Sequence, residues 1–132
     1  MRSKKLIIIS LFISTSLFAF AFLGTDIFEE ITLALKSGNC KEVSRYFDSR
    51  VELKIDEVED IYSKTQAELI LKDFFEKSPP VNFLIKHKNF SPKGLPYVIG
   101  YLQTTSGRYR TYILFKDIGG KLYIRELQFE KE

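Results

Sequence analysis

His87 is the only histidine in a chain of 132 residues, and an imidazole with an ordinary pKa near ~6.5 suits proton transfer at neutral pH. A catalytic histidine needs a carboxylate or a substrate proton within reach, and no acidic residue is visibly paired with His87 in the sequence. A hydrogen-bonded strand histidine is therefore the reading the pattern favours, and His87 is kept as the one catalytic candidate. Asp56, Glu57, Glu59 and Asp60 crowd oxygen ligands into one stretch, as a calcium loop does, but Ile61 stands where an EF-hand needs glycine and the later bidentate Glu is missing. That run reads as a solvated connection. One histidine and one cysteine, Cys40, leave no transition-metal ligand set, so no metal is expected. Ser63, Thr65 and Ser106 sit in capping or turn contexts without a Gly-x-Ser-x-Gly elbow. Gly119-Gly120 is too short to cradle a phosphate, and no dinucleotide or Walker fingerprint is present, so no cofactor is expected.

The chain opens with Arg2, Lys4 and Lys5 and then runs uncharged from Leu6 to Thr25, the basic and apolar regions of a secretory signal. Ala19-Phe20-Ala21 offers small residues at the positions a signal peptidase reads, so residues 1–21 are expected to be a signal peptide and 22–132 one exported domain, periplasmic or secreted. The alternative is an uncleaved anchor tethering the domain to the inner membrane, since the run is just long enough to cross a bilayer. Cys40 lies far beyond the run, which excludes a lipoprotein cysteine directly after it.

Those first residues also carry the basic excess. Without Arg2, Lys4 and Lys5 the chain holds 17 Lys and Arg against 17 Asp and Glu, which gives no electrostatic footprint for a nucleic acid. A content of 45% hydrophobic and 14% aromatic residues is ample for a core.

Three capping signals start helices: Asp26 with Glu29, Asn39 with Glu42, and Ser63 with Gln66. Ile27, Ile31, Ala34 and Leu35 give the first an apolar stripe, and Ala67, Ile70, Leu71, Phe74 and Phe75 give the third a wider one. Between them Val51, Leu53 and Ile55 alternate as a half-buried strand. From Val81 onward, β-branched and aromatic runs over 81–90, 97–105, 108–116 and 122–129 are separated by turn residues and predict an antiparallel meander. Ile124 and Leu127 cannot share a face in strict alternation, which predicts a bulge near Arg125-Glu126. The fold class is α+β, order α-α-β-α-β-β-β-β, with helices packed on one face of a curved antiparallel sheet.

This arrangement resembles the nuclear transport factor 2-like (cystatin-like) cone, in which a bent sheet wraps a long helix and leaves a pocket at its wide end. More narrowly, Tyr62-Ser63-Lys64-Thr65-Gln66-Ala67-Glu68 with Phe74-Phe75, then Phe83, His87, Gly100 and Gly107-Arg108-Tyr109-Arg110, is similar to an uncharacterised family of small exported bacterial proteins with that fold. The resemblance implies a fold and a compartment and transfers no catalytic residue. Enzymes of the cone superfamily such as ketosteroid isomerase and scytalone dehydratase point acids or histidine–acid pairs inward, whereas inward parity here is mostly aliphatic and aromatic.

Two expectations follow. Tyr46, Gln66, His87 and Arg125 are expected around one concave pocket lined by Phe47, Phe74 and Ile85, taking a small apolar molecule or, alternatively, supporting a small lyase or isomerase. Tyr97, Ile99 and Tyr101 occupy one parity of their strand and Val98 and Leu102 the other, while Tyr112 and Leu114 oppose Ile113 and Phe115. Both faces of the central strands are thus apolar and helices cover only one. Ile99, Tyr101, Tyr112 and Leu114 are therefore expected to form a homodimer interface.

Overall fold

A computed structural model describes residues 26–132; the signal or anchor segment and the cleavage site after Ala21 lie outside the described residues. Helix α1 (Ile27–Lys36) begins where Asp26 accepts the Phe28 backbone N–H at 3.0 Å, and it buries Ile31, Ala34 and Leu35. Asn39 caps the short α2 (Cys40–Ser44) by accepting from the Glu42 N–H. Strand β1 (Phe47–Ile55) follows, then β2 (Val58–Ser63) and helix α3 (Lys64–Lys77). At the start of α3 the capping box is complete: Ser63 Oγ accepts from the Gln66 N–H, and Gln66 Oε1 accepts from the Ser63 N–H. Strands β3 (Pro80–Phe90), β4 (Pro96–Thr104), β5 (Gly107–Ile118) and β6 (Lys121–Lys131) complete the chain as the expected meander.

The six strands form one sheet in the order β2-β1-β6-β5-β4-β3, all neighbours antiparallel except the parallel pair β1 and β6. Six strands rather than five is a correction to the expected order, which becomes α-α-β-β-α-β-β-β-β. The acidic stretch is no mere connection: Asp56 takes a positive φ of 51° and turns the chain, and Val58 to Ser63 then pair back along β1. Aspartate is among the few side chains that tolerate that conformation. Every residue of β2 except Tyr62 is exposed, so this edge strand has no apolar alternation by which to recognise it.

The helices cover one face of the sheet. Between α3 and that face, Phe74 meets Tyr109 and Phe129 at 5.1 Å each between ring centroids, and Phe75 meets Phe129 at 6.4 Å. Aromatic rings thus fill the centre of the cone with the edge-on and tilted geometries their quadrupoles favour. Cys40 is half-buried against this core, as a small apolar residue would be.

Candidate functional site

Two bulges decide which side chains reach which face. In β6 the register moves from Leu114 opposite Glu126 to Phe115 opposite Ile124, leaving Arg125 as the extra residue, where the sequence predicts it. Ile124 and Leu127 thereby both reach the core. In β3 the register moves from Ile85 opposite Gly100 to His87 opposite Ile99, leaving Lys86 unpaired. One inserted residue reverses side-chain parity. His87 therefore leaves the face of Phe83 and Ile85, stands beside Ile99 on the uncovered face, and is exposed. Among the described residues it has neither an ion pair nor a side-chain hydrogen bond.

The four residues expected around one pocket stand apart. Tyr46 lines a depression of about 380 Å³ with Glu30 and Arg45, and its hydroxyl donates to Glu30. Burial, the bond to Glu30 and that carboxylate's charge push the phenol up to about 12, so it stays protonated at ordinary pH. Gln66 is exposed and spent on capping α3. Arg125 lines a different depression, of about 370 Å³, on the outer face with Glu52, Lys116 and Glu126. Of the residues expected as lining, Phe47 is buried in the core, Phe74 borders a cleft of about 260 Å³ beside Ile55 and Tyr62, and Ile85 lines a groove on the far side of the molecule, beside α1. The convergence assumed strict alternation through β3 and an unfilled cone, and the Lys86 bulge and the aromatic cluster remove both conditions.

The expected interface residues do come together. Tyr97 lies opposite Leu114, Ile99 opposite Tyr112, and Tyr101 opposite Arg110, all on the face that no helix covers. The Tyr97 and Tyr112 rings are 5.7 Å apart, and the Arg108 guanidinium lies 4.6 Å from the Tyr101 ring centroid. These tyrosines and Ile99 are half-buried by one another, and Leu114 is only 8% exposed. Burial, then the charge of Glu126, raises the Tyr112 phenol above its usual value.

Beside this patch the parallel pairing of β1 with β6 sets Glu52 against Glu126, and Glu59 approaches from β2. Hydrogen bonding with Glu59 first, then burial and the charge of Glu126, hold the Glu52 carboxyl at about 6 instead of 4.5. Its neighbour Lys54 is engaged with Glu130 at 2.7 Å, which raises the ammonium and lowers that carboxyl. Sequence reading misses this cluster. Alternation along β1 points Glu52 outward, but the crossover that makes β6 its neighbour leaves no local signal.

The model of one protein family, Domain of unknown function (DUF4783), matches residues 28–130. The chain belongs to that family. Among solved structures, a DUF4783 family protein from Bacteroides uniformis is 26% identical with a TM-score of 0.75, the match covering 81% of this chain and 98% of that one. A second, from Bacteroides fragilis, is 25% identical with a TM-score of 0.74, covering 83% and 100%. A domain with a cystatin-like fold from Nostoc punctiforme, 8% identical, superposes with a TM-score of 0.62 over 79% of this DUF4783 chain and 72% of its own. The α+β architecture is thus the nuclear transport factor 2-like, cystatin-like cone. No curated protein matches the chain in sequence.

Proposed function

We propose that this DUF4783 protein is an exported, non-enzymatic binding module of the periplasm or cell envelope that works through the uncovered face of its sheet, pairing there with a second copy of itself. The observation that carries this is the run of Tyr97, Ile99, Tyr101, Tyr112 and Leu114 across β4 and β5, contiguous by register and backed by a completed core. Contiguous apolar surface of this kind usually marks an interaction site, and an isologous pair is the commonest way to bury it. Export rests on the N-terminal sequence: the basic start, the uncharged run and Ala19-Phe20-Ala21. Membrane contact arises only if that segment stays uncleaved. Tyr101→Asp or Tyr112→Asp should move the elution volume toward monomer with the far-ultraviolet circular dichroism unchanged, and an N-terminus starting at Phe22 on protein from cells supports export with cleavage.

A second reading, binding of a small apolar molecule, is favoured by the open apolar groove between α1 and β3, about 620 Å³ in volume. The enzymatic alternative, a lyase or isomerase built on His87, draws no support from the geometry, because among the described residues His87 has no carboxylate partner, and it faces away from that groove.

A further inference from the structure

The groove has an apolar floor, and two lysines, Lys86 and Lys88, border it. Phe28 and Leu33 of α1 form one wall, and Phe83 and Ile85 of β3 the other. Leu33 is 64% exposed, so a large apolar side chain faces solvent along its rim. Gly100 lets the Phe83 ring lie down on β4: a Cβ there would stand 2.9 Å from Phe83 Cζ and 2.5 Å from the Leu84 carbonyl oxygen. The charged groups that line or border it are Asp26, Glu29, Lys86 and Lys88. Lys88 is held, 4.7 Å from the Phe28 ring centroid and 4.0 Å from Asp26. Lys86 is the bulged residue of β3 and borders the groove. No carboxylate lies within 4.0 Å of it among the described residues.

We propose that this groove binds an anionic amphiphile, a long-chain carboxylate, with the alkyl chain along Phe28, Phe83 and Ile85 and the carboxylate on Lys86. The class follows from the juxtaposition of an apolar trough with a cation that has no carboxylate within 4.0 Å among the described residues. A neutral apolar ligand would leave Lys86 unused, and a polyanion would meet Asp26 and Glu29 nearby. This inference rests on the small-ligand reading and is independent of the dimer.

Calorimetric titration of the delipidated, purified chain with palmitate and with hexadecan-1-ol separates the possibilities. One palmitate should bind per chain, roughly fivefold tighter than the alcohol, as an exposed charge pair allows. Lys86→Gln should erase that difference by weakening palmitate alone, and Leu33→Asp should weaken both ligands about tenfold or more. Equal binding of both ligands, lost in Leu33→Asp and untouched in Lys86→Gln, would overturn the carboxylate assignment and keep an apolar-ligand groove. No binding, or binding indifferent to both substitutions, would overturn the site and the small-ligand reading together.

Discussion

Strands β4 and β5 present two apolar faces to two different environments. On the helix-covered face Val98, Leu102, Tyr109, Thr111 and Ile113 are buried, and the Thr111 hydroxyl donates to the Tyr109 carbonyl at 3.3 Å. No buried side-chain nitrogen or oxygen among the described residues lacks a partner. On the other face Tyr97, Ile99, Tyr101 and Tyr112 are half-buried by one another and bordered by charge, from Arg108 and Arg110 to Glu126. A sheet covered on one side only needs apolar residues on that side only. The first face therefore serves folding, and the second is spent on something the fold does not require. Substitutions on the two faces should accordingly fail in different measurements.

The largest effect belongs to the covered face. Phe129→Ala removes a ring packed against Phe74 and Phe75 and should cost about 3–5 kcal/mol in urea denaturation. Gly100→Ala forces a methyl against backbone at Leu84 and should cost about 1–3 kcal/mol, through overpacking. On the uncovered face Glu52→Gln should stabilise the protein at pH 7.5. A carboxyl whose folded pKa of about 6 exceeds 4.5 binds its proton more tightly when folded, so its burden on the fold sets in as pH rises through that window and is absent below it. The gain should be about 1 kcal/mol after allowance for solvent screening, fading below about pH 4.5, as denaturation at several pH values would show. Tyr112→Asp should change monomer stability least, by less than about 1 kcal/mol, while altering association.

Legibility in the sequence followed locality. The three helix starts were readable because capping side chains lie within three residues of what they satisfy, and the β6 bulge because Ile124 and Leu127 conflict within one strand. The tyrosine face was readable because parity is a property of each strand. Strand β2 was hidden because an exposed edge pairs through its backbone and carries no apolar alternation. The Lys86 bulge was hidden as well: Val81, Phe83, Ile85 and His87 alternate without conflict, and only the pairing with β4 shows the inserted residue. That single residue moved His87 to the outer face and set Lys86 beside the groove. The meeting of Glu52 with Glu126 depended on a parallel crossover, which joins residues 74 positions apart in sequence.

The central claim is that the uncovered face is an interface between two copies. Sedimentation equilibrium of the wild-type protein at tens of micromolar tests it most directly. The account predicts a dimer that Tyr112→Asp converts to a folded monomer; a wild-type protein that sediments as a monomer at that concentration would contradict it and leave a different protein as the partner of Ile99, Tyr101, Tyr112 and Leu114.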